Sequence, residues 1–190
     1  MKKIFIGISG TNCSGKETFK KYLEEKYRAI SFSLSDILRK EAKKLKKEIT
    51  REELIQLGKK LREKNPSILA EKIIKTIKHS NPKQKIIVID SIRNPYEVKK
   101  LRELKNFYLF FIDAPIKIRY LRATKRKREK EEKLTFKMFK KLEKLEMKKN
   151  PKPYEQDLTS CKKLSDFIII NDKDFNSFYK KIDKLISVIK

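Results

Sequence analysis

The segment KIFIGISGTNCSGKET, residues 3–18, decides the fold of this chain. Its β-branched apolar start over residues 3–8 is typical of a buried strand, and a Gly/Ser/Asn turn then leads into a helix. Residues 10–16 have the spacing G-x-x-x-x-G-K, whose glycines let backbone N–H groups turn inward around a phosphate. The helix N-terminus adds positive potential, and Lys16 supplies a mobile charge for the outer phosphates. The segment therefore predicts a phosphate-binding loop between a strand and a helix.

This loop predicts which residues hold a nucleotide and which hold its metal ion. The predicted nucleotide-binding residues are Gly10, Thr11, Asn12, Cys13, Ser14, Gly15, Lys16, Glu17 and Thr18. Glu17 stands where Ser or Thr usually offers a hydroxyl to Mg²⁺, so we assign that place to Thr18 or to water. Asp90 ends the apolar run 85–90 and is the second predicted Mg²⁺ ligand, directly or through water. Asp113 ends a similar run, but only Asp90 is followed by an arginine, Arg93, three residues later.

Strand-like and helix-like patterns alternate along the rest of the chain. The predicted strands cover residues 3–8, 29–33, 85–90, 107–113 and 166–172. Between them, Ser35, Thr50, Asn94, Thr135 and Asp174 are predicted N-terminal caps of amphipathic helices. This alternation predicts an α/β fold with a three-layer, doubly wound parallel sheet of about five strands. Because neither a repeat nor a Gly/Ser-rich linker interrupts it, we expect one domain over residues 1–190.

The chain has a large positive charge, and most of it comes from lysine. Lys and Arg number 51 against 25 Asp and Glu, a formal net charge of +26 over 190 residues, and only 10 of the 51 are Arg. Lys is the less specific of the two cations for phosphate, so most of the excess indicates little about a ligand. Nucleic-acid binding is therefore a less favoured interpretation. A hydrophobic content of 38% still supports a buried core.

The pattern of apolar residues and cysteines favours a cytoplasmic protein without a membrane association. The longest uninterrupted apolar run, 107–112, is far shorter than the roughly 20 residues of a spanning helix. The apolar stretch within residues 1–10 is too short for the hydrophobic region of a signal peptide. Two cysteines, Cys13 and Cys161, provide neither a disulfide framework nor a zinc ligand set.

Three short motifs carry a resemblance to a known family: GKET at 15–18, SLSDILR at 33–39 and DSIR at 90–93. With them the chain resembles the nucleoside monophosphate kinase group of P-loop kinases, typified by adenylate kinases. It is more similar still to archaeal P-loop proteins catalogued as AAA-family ATPases or as dephospho-CoA-kinase-like. The resemblance implies that a helical insertion over 31–82 binds the phosphoryl acceptor. The acceptor-binding residues would be Ser33, Ser35, Asp36, Arg39 and Arg93, with Arg93 one position closer to its Asp than in adenylate kinases.

The resemblance extends to a basic lid region over residues 117–150. In adenylate kinases two arginines follow the Asp of the fourth strand by nine and thirteen residues, which correspond here to Arg122 and Arg126. The resemblance implies that Arg122 stacks on the donor base and that Arg126 contacts a phosphate. The lid differs from the family in being Lys-rich and helical, and no arginine follows Arg128. Four further arginines, Arg28, Arg51, Arg62 and Arg102, fit solvated helix faces.

Together these patterns predict an enzyme that uses ATP and Mg²⁺ to phosphorylate a small phosphorylated acceptor, most directly a nucleoside or deoxynucleoside monophosphate. The predicted catalytic residues are Lys16, Asp90, Arg93 and Arg126, because phosphoryl transfer needs positioning and cations more than covalent help. One alternative is a dephospho-CoA kinase in which Asp36 is the general base. A second, from another class, is a nucleic-acid-associated P-loop ATPase that uses the basic stretch 117–149. The acceptor, the choice of ATP or GTP and the oligomeric state stay open.

Overall fold

Strands that are buried on both faces form the centre of the molecule. The computed structural model describes residues 2–126, 134–147 and 151–190. The strands are β1 (Ile4–Gly10), β2 (Ile30–Ser33), β3 (Ile86–Asp90), β4 (Phe107–Asp113) and β5 (Phe167–Ile170). They form one sheet in the order β2-β3-β1-β4-β5, and every neighbouring pair is parallel. The predicted parallel α/β sheet of five strands is therefore confirmed.

Helices cover both faces of this sheet. They are α1 (Lys16–Tyr27), α2 (Leu34–Lys44), α3 (Arg51–Lys64), α4 (Ile68–Ser80), α5 (Pro95–Leu101), α6 (Ile116–Lys125), α7 (Phe136–Glu146), α8 (Leu158–Lys163) and α9 (Phe175–Ile189). One apolar core joins α1 and α9 to the sheet through Phe19 and Phe178. The core on the opposite face contains residues of α2, α4, α5 and α8. Within the described ranges, no helix combines the length and apolar character needed to cross a bilayer.

The helix starts mostly follow the predicted caps. Thr50, Asn94, Thr135 and Asp174 each accept a backbone N–H of their helix, as expected. Ser35 was the wrong cap for α2, because β2 pairs with β3 as far as Ser33 and the helix begins directly after it. The Ser33 hydroxyl accepts the N–H of Ser35 at 3.2 Å. The strand pairing thus decides which of two nearby serines caps the helix.

The parallel arrangement brings the candidate functional residues to one edge of the sheet. In the register of the sheet, Gly10 at the end of β1 lies beside Ile112 of β4, and Asp90 at the end of β3 lies beside Ser33 of β2. The carboxyl ends of parallel strands share an edge, and ligands of open α/β sheets bind in the crevice outside it. The site is therefore built from the segments that follow β1, β2, β3 and β4.

Candidate nucleotide and acceptor site

The loop after β1 has a backbone that requires glycine at two positions. Gly10 has φ +142° and Gly15 has φ +104°, and a Cβ on either would lie within about 2.2 Å of a neighbouring atom. At Gly10 that atom is the carbonyl oxygen of Ile112, and at Gly15 it is Nδ2 of Asn171. Cys13 between them is also left-handed, with φ +57°. The two glycines of the predicted motif therefore permit both the turn and its close contact with the sheet.

Hydrogen bonds from β4, β5 and the loop itself fix the phosphate-binding loop. The Thr11 hydroxyl donates to Oδ1 of Asp113 at 2.8 Å, and the Ser14 hydroxyl donates to the Thr11 carbonyl at 2.9 Å. Nδ2 of Asn171 donates to the Ser14 carbonyl at 2.9 Å. Asp113 also accepts from Nζ of Lys162 at 2.9 Å. Side chains of later segments of the chain thus fix the loop against the sheet. Two of them, Asn171 and Lys162, had not been identified by sequence analysis.

Lys16 lies at the start of α1 with its ammonium folded over the loop. Its Nζ donates to two loop carbonyl oxygens at 3.0 and 2.5 Å. Burial and, second to it, the charge of Arg93 lower the pKa of Lys16 to about 8, although the charges of Asp90 and Glu146 act in the opposite direction. Lys16 and Arg93 are both half-buried, and an anion stabilises two neighbouring cations, so this part of the site favours a phosphate group.

The residues predicted to hold Mg²⁺ are positioned on neighbouring elements. Asp90 ends the strand next to β1 and accepts the N–H of Ser91 at 2.6 Å. Thr18 is half-buried in the first turn of α1. Glu17 is exposed and pairs with Lys20 of the same helix at 2.9 Å.

The chemistry of this donor set fits a magnesium ion. Within the described part of the chain, no group of three or more His, Cys, Asp or Glu side chains is placed to hold a metal. Mg²⁺ prefers oxygen ligands, keeps several waters and is commonly held by one or two protein groups plus phosphate oxygens. Asp90 and Thr18 provide that kind of incomplete oxygen set.

A cavity of about 340 Å³ adjoins the loop and has an arginine-rich lining. It lies between Asn12 of the loop, helices α2 and α3, and the segment that follows β3. Ser35, Arg39 and Arg93 line it, so the structure brings three of the five predicted acceptor residues together. Aliphatic side chains of α2 and α3 and Ile49 form much of the remaining wall.

The other two predicted acceptor residues are not among those that line this cavity. Ser33 caps α2, and its hydroxyl donates to the Ser91 hydroxyl at 3.2 Å. The Asp36 side chain is 61% exposed and pairs with Arg39 at 2.7 Å. Both residues line a separate surface cavity. Arg39 lines both cavities, because it lies four residues after Ser35 and three after Asp36 on α2.

The two predicted lid arginines lie in different environments. Arg122 is half-buried beside the phosphate-binding loop, where its guanidinium donates to the carbonyl of Asn171 at 3.1 Å and to that of Ser14 at 3.4 Å. Arg126 is exposed at the C-terminal cap of α6. The residues of the basic lid region at 127–133 and 148–150 lie outside the described residues.

An arginine that sequence analysis had not singled out anchors α7 beside the loop. Arg119 of α6 is buried, donates to the Ala114 carbonyl at 2.6 Å, and forms an ion pair with Glu143 of α7. Its guanidinium lies 6.0 Å from the centre of the Phe139 ring. One turn beyond Glu143, Glu146 lines the arginine-rich cavity and lies 3.8 Å from Arg93. Helix α7 thus brings a carboxylate to the candidate site.

The sequence suggested that Arg62 lies on a solvated helix face, but the structure buries it. Its side chain is 5% exposed, lines the same cavity and pairs with Glu97 of α5 at 2.8 Å. Arg102, in contrast, is exposed as expected, and it bonds Asp166 and the Leu164 carbonyl. A sequence pattern shows that a residue falls on a polar face, but it does not show which helix that face meets.

The fold and the loop define a class of protein. A phosphate-binding loop after the central strand of an all-parallel, five-stranded sheet identifies a P-loop nucleotide-binding protein with a kinase-like fold. The shikimate kinase of Bacteroides thetaiotaomicron has a similar fold, with a TM-score of 0.62 at 11% identity over 98% of each chain. At that identity the likeness concerns the fold alone.

Comparison of sequences gives the family. The model of the AAA domain matches residues 6–148. The chain is 31% identical to the UPF0200 protein of Sulfurisphaera tokodaii, over 97% of this chain and 96% of that protein. It is 30% identical to a UPF0200 protein of Pyrococcus horikoshii, over 98% and 96% respectively. The chain therefore belongs to the UPF0200 family of AAA-domain proteins.

Proposed function

We propose that this protein transfers the terminal phosphoryl group of ATP to a small phosphorylated acceptor, most directly a nucleoside or deoxynucleoside monophosphate. One observation carries the proposal: the cavity of about 340 Å³ adjoins the phosphate-binding loop at Asn12 and is lined by Arg39 and Arg93. A protein that only hydrolysed ATP would need no second anion-binding cavity there. Arginine suits an acceptor phosphate because its planar fork binds two phosphate oxygens at once.

The proposed reaction assigns a role to each described group. The donor phosphates bind the loop and Lys16, and the acceptor phosphate binds Arg39 and Arg93. The P–O bond to ADP breaks as a P–O bond to the acceptor oxygen forms, and the two oxygens lie roughly in line. Lys16 and Arg93 meet the charge spread over the transferring oxygens. Arg122 serves the donor side, and the exposed Arg126 is omitted from the proposed catalytic set.

Magnesium enters the proposal through Asp90 and Thr18, which would hold it with water and phosphate oxygens. When bound, Mg²⁺ neutralises charge that develops on the phosphates. The protein itself positions the substrates: the loop orients the donor and the arginines orient the acceptor. Helix α7 limits the access of water to the space between donor and acceptor.

The test is acceptor-dependent turnover. The purified protein is mixed with ATP, Mg²⁺ and, one at a time, nucleoside and deoxynucleoside monophosphates and dephospho-CoA. We expect ADP to form with a restricted set of acceptors, and the Arg39→Ala variant to raise the acceptor KM far more than Arg102→Ala, which lies outside the cavity. If no acceptor stimulates turnover and RNA does, the proposal fails in favour of a nucleic-acid-associated ATPase.

A hydroxyl acceptor is the second candidate, and the position of Glu146 favours it. A hydroxyl must lose its proton during transfer, and a carboxylate in the acceptor cavity could accept that proton. Glu146 lines the cavity, whereas Asp36, which the sequence suggested for this role, does not. In a dephospho-CoA kinase of this form, Glu146→Gln would remove most of the turnover and Asp36→Asn would remove little.

A further inference from the structure

We infer that Arg62 is a third ligand of the acceptor phosphate, so that the acceptor cavity is built for a phosphomonoester dianion. The inference rests on the proposed function and extends it, since the acceptor site would then contain three guanidinium groups instead of two. Arg39 and Arg93 come from α2 and from the segment after β3, and Arg62 comes from α3.

The first support is the burial of Arg62 together with its position. Its side chain is 5% exposed, yet it belongs to the lining of the cavity that Arg39 and Arg93 share. A buried guanidinium is rare unless it is paired. Here the pairing explains only part of the group, because Glu97 takes bonds from Nε and one terminal nitrogen. A guanidinium has five N–H groups, more than one carboxylate oxygen can accept.

The second support is that Glu97 fixes the direction of the guanidinium. Glu97 is fully buried, and its Oε1 accepts from Nε of Arg62 at 2.8 Å. Its other oxygen accepts the backbone N–H groups of Arg93 at 3.1 Å and Asn94 at 3.2 Å. One carboxylate therefore holds both the Arg62 side chain and the backbone of Arg93. Because these groups are already oriented, ligand binding has a smaller entropic cost.

The third support is the space left beside the guanidinium. Gly58 lies one turn before Arg62 on α3, and a Cβ there would be 3.1 Å from a terminal nitrogen of Arg62. The absence of a side chain lets the guanidinium lie back along its own helix. Glycine is a poor residue for a helix interior, which indicates a packing reason for its presence.

Each of the three arginines has a carboxylate partner that a dianion could complement or replace. Glu97 neutralises one cation of the set, and Glu146 faces Arg93 at 3.8 Å. Arg39 pairs on its exposed side with Asp36. A phosphomonoester that carries about two negative charges would replace Glu146 as the partner of Arg93 and would accept hydrogen bonds from the guanidinium of Arg62. A neutral hydroxyl acceptor without a phosphate would leave these donors with weaker partners.

The experiment measures binding of inorganic phosphate, so it does not depend on knowing the acceptor. Phosphate is titrated calorimetrically into the full chain with the loop filled by saturating MgADP. We expect Arg62→Ala to raise the phosphate Kd about tenfold or more, since hydrogen bonds to charged groups contribute about 1.5–3 kcal/mol. Arg62→Lys keeps the charge but not the fork, and it should raise Kd by a smaller factor. Arg102→Ala, which removes an arginine ion pair elsewhere, should leave Kd unchanged.

Loss of folding is separated from loss of binding by a second variant. Arg62→Ala leaves the Glu97 charge buried and unpaired, so Arg62→Met combined with Glu97→Gln removes both charges at similar volume. If either folded variant binds phosphate within twofold of the wild type, Arg62 is structural only and the inference is overturned. A raised Kd supports the inference even if no acceptor is ever phosphorylated, and an unchanged Kd overturns it even if the kinase reaction is found.

Discussion

The hydroxyl of Thr11 donates to the carboxylate of Asp113 at 2.8 Å, which ties the phosphate-binding loop to the end of β4. Lys162 donates to the same carboxylate from α8 at 2.9 Å. Burial alone would raise the pKa of Asp113, but the hydrogen bonds from Lys162 and Thr11 hold it below its usual value. The ionised carboxylate therefore stabilises the fold above about pH 4, and this contribution is lost as the pH falls through the lowered pKa.

Asp113→Asn should consequently lower the free energy of unfolding by about 1–3 kcal/mol at pH 7. The difference from the wild type should begin to shrink below pH 4, where the carboxyl of the unfolded chain is protonated, and should vanish below the lowered pKa of the folded protein. Urea unfolding at several pH values measures both effects. Asp172→Asn is the control, because Asp172 makes an exposed pair with Lys181 and its loss should change little. Equal stability of Asp113→Asn and the wild type at pH 7 would contradict this account of the loop.

The lowered pKa of Lys16, about 8, predicts the pH dependence of nucleotide binding. Below pH 8 the buried ammonium is charged, which opposes folding but favours a bound phosphate. As the pH rises above 8 the charge is lost, so the Kd for ATP should increase by about tenfold per pH unit. Titration calorimetry between pH 7 and pH 10 measures this slope. The Lys16→Met variant should bind weakly with a nearly flat profile, and the same slope in both proteins would assign the titration to another group.

Glu146→Gln should tighten the binding of a phosphorylated acceptor. Its carboxylate lies 3.8 Å from Arg93, where an acceptor phosphate must displace it. Removing a nearby like charge is worth about 1 kcal/mol in a partly solvated site, which corresponds to about a fivefold lower acceptor KM. Steady-state kinetics measure both KM and kcat. A fall in kcat of a hundredfold or more would instead indicate a general base and a hydroxyl acceptor.

Helix α7 should detach when its buried anchor is removed. Arg119 pairs with Glu143 of α7 and lies against the Phe139 ring, so Arg119→Ala leaves the helix without its main polar contact to α6. We expect amide hydrogen exchange over residues 136–146 to accelerate at least tenfold, with the rates in α9 unchanged. Lys140→Ala changes an exposed side chain of the same helix and should not alter exchange. Unchanged exchange in Arg119→Ala would show that other contacts hold α7.

Much of the fold could be predicted because its strongest signals are local. The aliphatic runs of β1, β3 and β4 are buried on both faces, and the phosphate-binding motif fixes the turn after β1. Helix α8 was not predicted. Its six residues are too few to show a periodic pattern, and its start depends on Asp157, which accepts the N–H of Ser160. Short helices of this kind are decided by tertiary contacts more than by propensity.

The candidate site was predictable where it lies along one motif and not where it is assembled across elements. The loop follows from its spacing, and Arg39 and Arg93 were implied by the resemblance to adenylate kinases. Arg62 and Glu97 are 35 residues apart and meet only because α3 packs near α5, so neither stood out among 51 cations and 25 acidic residues. Asn171 bonds the loop from 157 residues away. Side chains that position a site from other elements leave no pattern in the sequence around that site.

Transfer of the terminal phosphoryl group to the acceptor tests the central claim most directly. ATP labelled on its terminal phosphate is incubated with Mg²⁺, the protein and each monophosphate acceptor, and the product is identified by mass spectrometry. The account predicts labelled nucleoside diphosphate in equal amount to ADP, and loss of both in Lys16→Met and Arg93→Ala. Release of the label as inorganic phosphate with every acceptor, at a rate that Arg93→Ala leaves unchanged, would contradict it.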